Sequence, residues 1–156
     1  MALPEKLVKE FDELVKKYPD RAAGLIPALH RCQEELEGWI SPETMEDVAA
    51  YFGLEPVFVY GVVTFYPMFK TKRPGKHVVS ICKNLSCDLR GADEITRKVC
   101  QTTGAQPGGT SPDGRFTVEH VECQGACANA PMFDLDGTYY EDLDEKKVEE
   151  ILGGLE

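Results

Sequence analysis

Four cysteines of the 156-residue chain stand in two pairs, Cys82 with Cys87 and Cys123 with Cys127. Four residues separate the members of the first pair, three separate those of the second, and 35 lie between the pairs. Thiolates are soft ligands, and four that converge select zinc or an iron–sulfur cluster. Zinc draws all its ligands to one point and tolerates this kind of spacing. A binuclear cluster has two irons with two thiolates each, which suits wider loops. Gly125, Ala126, Ala128 and Ala130 surround the second pair. Small residues let backbone N–H groups approach sulfur and tune its electronics. The spacing favours iron–sulfur and leaves zinc open.

The other reactive side chains offer less. Neither pair has the two-residue spacing of a dithiol redox motif. No His/Asn partner for a catalytic thiol stands out, so no residue is assigned a catalytic role. Cys32 and Cys100 fall on apolar faces of helical segments and read as inert core thiols. His120 lies three residues before Cys123. A Rieske-type centre needs two histidines, so an ordinary strand hydrogen bond is the better expectation. His30 and His77 read as ordinary polar positions. The chain opens Met1-Ala2-Leu3-Pro4-Glu5-Lys6, without the charged and apolar regions of a secretory leader. That points to the cytoplasm, where thiols stay reduced.

The elements that must position these cysteines follow from pattern. In the first half Leu3, Leu7, Phe11, Leu14 and Val15 recur at helical spacing, with Pro19 as the stop. A second helix is expected from about Ala22 to Leu36, with Pro27 near its start and Gly38 as its C-terminal signal. Ser41-Pro42-Glu43 combines a hydroxyl cap, a first-turn proline and an acid, and Gly53 closes that helix. Pro56 opens a fourth, to about Thr64. The polar stretch 70–76 is the expected boundary between two units, 1–70 and 76–156. Beyond it His77–Cys82 reads as a strand, Gly91–Cys100 as a helix, 102–114 as a loop and Phe116–Cys123 as a second strand. Met132–Asp136 and Thr138–Leu143 form a hairpin about Asp136-Gly137, and Asp144 caps a last helix. A crossover helix makes the first two strands parallel, so the cysteine pairs that follow them meet at one sheet edge. The fold class is α+β: a helical bundle followed by a thioredoxin-like domain with a mixed sheet.

Charge excludes whole classes. The net charge is −10, the wrong sign for nucleic acid or an anionic membrane surface. Residues 76–127 carry six Lys/Arg against six Asp/Glu, whereas 128–156 carry two against nine. The cysteine-bearing segment is therefore neutral and the acidity lies beyond it. The uncharged apolar stretch 56–69 has 14 residues, too short to span a bilayer. It holds Phe58, Tyr60, Phe65, Tyr66, Met68 and Phe69. About half of these are expected in the core, and the rest could form a partner surface.

Together, Cys82-Lys83-Asn84-Leu85-Ser86-Cys87 and Val121-Glu122-Cys123-Gln124-Gly125-Ala126-Cys127 resemble the thioredoxin-like [2Fe–2S] ferredoxin family. Pro27-Ala28-Leu29-His30-Arg31, Gly38-Trp39-Ile40-Ser41-Pro42-Glu43, Tyr60-Gly61-Val62-Val63-Thr64-Phe65-Tyr66, Ser111-Pro112-Asp113-Gly114-Arg115-Phe116 and Tyr139-Tyr140 extend the resemblance. They point to the branch of that family found in NADH:quinone oxidoreductases (respiratory complex I), bacterial and mitochondrial. The resemblance implies a [2Fe–2S] cluster on Cys82, Cys87, Cys123 and Cys127, as metal ligands and cofactor-binding residues alike. It implies single-electron exchange with the flavin of an NADH-binding subunit docked on the N-terminal helices, and other iron–sulfur subunits in the same complex. No glycine-rich dinucleotide fingerprint follows a strand, so NADH and FMN belong to the partner. The chain is then part of an NADH dehydrogenase without a substrate site of its own. It sits on the cytoplasmic side, peripheral to the inner membrane through the complex and without membrane insertion. Gln124 departs from the aliphatic residue of many relatives. Alternatives are the equivalent component of an NAD-linked or electron-bifurcating hydrogenase or formate dehydrogenase, or a zinc-stabilised interaction module.

Overall fold

A computed structural model describes residues 3–155, which divide into two compact units that meet between Arg73 and Pro74 in the sequence. The first is helical: α1 Glu5–Val15, α2 Leu25–Glu35, α3 Pro42–Phe52 and α4 Pro56–Phe65. Leu7, Phe11, Leu25, Leu29, Cys32, Ile40, Val48, Val59 and Val63 close its core. Sequence signals mark the helix starts most clearly at α3. The Ser41 hydroxyl accepts the Thr44 N–H and Pro42 occupies the first turn of α3, removing donors that have no partner inside the helix. Gly53 then turns left-handed, φ 68°, and ends it.

Two boundaries and one burial pattern differ from the sequence expectation. Helix α1 stops at Val15, four residues before Pro19, because its apolar stripe ends there and residues 16–20 are exposed. The expected start of the second helix at Ala22 is a 3-10 turn, Arg21–Gly24, and α2 begins at Leu25. Pro27 has no N–H to donate and so must sit in a first turn. Of the six aromatic and methionine residues in 58–69, only Phe69 is fully buried and Tyr66 is intermediate. Phe58, Tyr60, Phe65 and Met68 face solvent, fewer in the core than expected.

The second unit holds β1 His77–Cys82, α5 Leu85–Leu89, α6 Ala92–Thr103, β2 Gly109–Thr110, β3 Phe116–Val121, β4 Phe133–Leu135, β5 Thr138–Tyr140 and α7 Glu145–Gly153. The sheet order is β2-β3-β1-β4-β5. Strands β1 and β3 are parallel and in register from His77 with Phe116 to Cys82 with Val121. The crossover through α6 joins them as the pattern requires. The other neighbours are antiparallel, which makes the sheet mixed. Asp136 and Gly137, φ 53° and 86°, form the β4–β5 turn. Val79, Ile81, Ile95, Val99, Val118, Phe133, Val148 and Leu152 pack sheet against helices. The expected loop over 102–114 contains the two-residue strand β2, held at the sheet edge by a hydrogen bond between the Thr110 and Thr117 hydroxyls. No helix among the described residues is long and apolar enough to cross a membrane.

Candidate metal centre

Strands β1 and β3 end side by side, and a cysteine loop leaves each. The last ladder bond runs from the Lys83 N–H to the Val121 carbonyl, 3.0 Å. Cys82 closes β1. Cys87 lies on the short helix α5, which the sequence pattern did not show. Asn84 caps that helix by accepting the Leu85 N–H, 2.9 Å. The signal was present in the sequence, since Asn is a strong cap; the five-residue span hid it. Strand β3 ends at Val121, so Cys123 stands two residues beyond the strand, in the turn that follows. Gly125 adopts φ 87°, which a side chain would strain. Its N–H donates to Cys123 Sγ, 3.4 Å. Cys127 opens a single 3-10 turn, Cys127–Asn129.

The structure brings all four predicted thiols to this edge, as free cysteines. Cys82 and Cys87 are buried with Ala92, Ala130 and Met132. Cys123 and Cys127 are exposed, their sulfurs 3.4 Å apart. Two thiolates on one tetrahedral metal, with metal–sulfur bonds of about 2.3 Å, stand about 3.8 Å apart. The second pair is thus spaced to grip a single metal. Burial pushes the Cys87 thiol up to about 11. The hydrogen bond with Cys82 adds to the rise, the Met132 backbone opposes it, and charge on Cys82 and Cys127 raises it further. Cys87 therefore feels both its own partner and the other pair. Among the described residues, no three His, Cys, Asp or Glu side chains gather about one point as a single ion needs. The donor set is all sulfur, arranged in pairs, and fits a unit with two metals and two thiolates on each.

Polar groups brace the edge. Lys83 follows Cys82 and pairs with Asp93 and, at 3.4 Å, with Asp88. Its ammonium is held above the ordinary range by the Asp93 hydrogen bond in the first place. His120 meets the Thr96 hydroxyl at 3.3 Å, the ordinary strand contact expected of it. Burial first, then the Lys83 charge, holds its imidazole below the usual value. Gln124 Oε1 is enclosed without a hydrogen-bond partner. The peptide bond before Pro131 is cis. Cys32 is fully buried, its thiol pushed up to about 12 by burial. Cys100 is only half-buried, and lines an open groove along α6 with Thr96 and Pro107. It is not the core thiol expected, because its position on α6 faces the 104–108 loop rather than the sheet.

Comparison with known proteins bears on the whole chain. Residues 11–156 match the model of the thioredoxin-like [2Fe–2S] ferredoxin family. NADH-quinone oxidoreductase subunit 2 of Thermus thermophilus is 40% identical over 147 residues, covering 92% of this chain and 81% of that protein. An NADH-quinone oxidoreductase subunit of Rickettsia conorii is 36% identical over 148 residues, covering 93% and 88%. Mitochondrial NADH dehydrogenase flavoprotein 2 of Dictyostelium discoideum is 42% identical over 141 residues, 89% of this chain and 57% of that one. Among solved structures, an air-oxidised NAD+-reducing [NiFe]-hydrogenase superposes with a TM-score of 0.72 at 22% identity, over 83% of this chain and 22% of that chain. That last likeness concerns the fold.

Proposed function

The chain belongs to the thioredoxin-like [2Fe–2S] ferredoxin family, and from that premise we propose that Cys82, Cys87, Cys123 and Cys127 ligate its cluster. The observation that carries the assignment is the meeting of both cysteine pairs at the adjoining ends of β1 and β3. The chain is an electron-transfer subunit of an NADH:quinone oxidoreductase, and its cofactor is one [2Fe–2S] cluster. When bound, such a cluster carries one electron at a time. The residues around it do the rest. The β1–β3 ladder fixes the distance between the two loops. Ala92, Ala130 and Met132 keep water from Cys82 and Cys87. The Gly125 N–H donates to the Cys123 sulfur, which favours the more negative, reduced state.

The electron partner is the flavin- and NADH-binding subunit, and the helical unit provides the docking face. Val57, Phe58 and Phe65 line an open apolar groove of about 480 Å³ with Gly61 and Val62. Phe65 is 76% exposed in the chain alone. Aromatic side chains of this kind dominate binding energy once buried. The complex holds further iron–sulfur subunits and lies at the inner membrane on its cytoplasmic side. Three relatives at 36–42% identity are NADH-quinone oxidoreductase or NADH dehydrogenase subunits, which favours that complex over a hydrogenase.

The test is direct. The purified chain, reconstituted without oxygen, takes up about two irons and two sulfides and shows a reduced-state EPR signal. Cys82→Ser and Cys127→Ser lose that signal. A colourless protein with one zinc and no sulfide, or an unchanged spectrum in the variants, overturns the assignment. Phe65→Ser weakens association with the flavin-bearing partner by about tenfold or more, while leaving the isolated chain folded; full association by the variant removes the helical unit from the interface.

A further inference from the structure

Where the parallel ladder ends, one contact between side chains continues it. Asn84 Nδ2 donates to Glu122 Oε2, 3.0 Å. Asn84 lies between Cys82 and Cys87, and Glu122 immediately precedes Cys123. The amide of Asn84 is used at both ends, since its oxygen accepts the Leu85 N–H. Its orientation follows from chemistry: a backbone N–H can only donate and a carboxylate can only accept, so each end of the amide has one possible role. The same side chain therefore starts the helix that carries Cys87 and reaches across to the loop that carries Cys123. We propose that Asn84 and Glu122 are positioning residues, a clamp that holds the two cysteine pairs in register across the sheet edge. The proposal rests on the ligand assignment above and deepens it. The strand pairing ends with Cys82 and Val121, and a cluster bridging both cysteine pairs needs the spacing beyond that point held constant.

The experiment uses the full chain, reconstituted, with the rate of iron release to an excess chelator as its readout. Asn84→Ser keeps a strong helix cap but is too short to reach Glu122. Glu122→Ala removes the acceptor, and Glu122→Gln keeps an acceptor oxygen while removing the charge. Asn84→Ser and Glu122→Ala release iron about three- to tenfold faster, the factor expected for losing one hydrogen bond exposed to water. Glu122→Gln releases it at the wild-type rate. Wild-type rates in Asn84→Ser and Glu122→Ala overturn the clamp, as does a Glu122→Gln rate equal to that of Glu122→Ala. In the metal-free chain, amide exchange at Lys83 is faster in Asn84→Ser than in wild type, and unchanged exchange likewise overturns the clamp. Failure of the wild-type chain to take up iron and sulfide overturns the ligand assignment instead, a result distinct from any of these.

Discussion

The two cysteine loops hold the same side chain in opposite surroundings. Cys82 and Cys87 are 3% and 2% exposed, one at the end of a central strand and one on a capped helix. Cys123 and Cys127 are exposed, on a turn built from Gly125 and small residues. The first loop gains its order from packing: α5 joins α6, and Met132 and Ala130 close over the sulfurs. The second gains its order locally, from a left-handed glycine, an N–H donated to sulfur and a 3-10 turn. One pair is thus part of the core and the other part of the surface. A cluster held by these four thiols, as proposed, would have one side shielded by the core and one side open.

Reactivity should break or sharpen that contrast most. Nucleophilic attack needs the thiolate and access to it. A thiol near 11, like Cys87, is about 0.1% thiolate at pH 8, and it is also enclosed. In the metal-free chain, alkylation of Cys123 and Cys127 should precede that of Cys82, Cys87 and Cys32 by roughly tenfold or more, read by peptide mass spectrometry. Equal rates for all five would dissolve the distinction between a core pair and a surface pair. Stability comes next. Cys87→Ser puts a hydroxyl among Ala92, Ala130 and Met132, where the Cys82 thiol and the Met132 backbone are placed for the longer C–S bond, and a buried hydroxyl so poorly bonded costs about 1–3 kcal/mol. Cys127→Ser changes an exposed position and should stay within about 0.5 kcal/mol. Denaturant melts of the metal-free variants give both values, and equal losses would place the two pairs in the same environment.

What the sequence disclosed follows the same division. The cap at Ser41, the stop at Gly53, the strand His77–Cys82, the Asp136-Gly137 turn and the cap at Asp144 are local signals, and each structural element obeys them. The parallel pairing of β1 and β3 followed from a connection rule and set the four thiols at one edge. Elements too short to repeat their own pattern were not legible: α5 is five residues and β2 only two. Burial decided by distant packing was not legible either. Phe65 and Phe69 look alike in sequence, yet one is exposed and the other rests on His30, their ring centroids 4.9 Å apart. The Asn84–Glu122 contact joins residues 38 apart and has no sequence signature at all.

The smallest effect concerns what backs the first loop. Helix α6, which follows α5 and Cys87, packs on α7, and Lys98 pairs with Glu149 across that contact at 2.7 Å. The hydrogen bond and charge of Lys98 hold the Glu149 carboxyl below its ordinary range. A carboxyl whose folded value lies below its unfolded one adds stability above the unfolded value, near about 4.3, and loses it as pH falls through the folded value. Glu149 is 68% exposed along its side chain, so water and salt screen the pair and its contribution is slight. Glu149→Gln should therefore melt slightly below wild type at neutral pH. That difference should vanish in about 1 M salt, and again as the pH falls below the carboxylate range. The pair supports only the helical layer behind Cys87, so alkylation of Cys123 and Cys127 should not change in the variant. A rise in their reactivity would mean that the open loop, too, is held from behind by the helices.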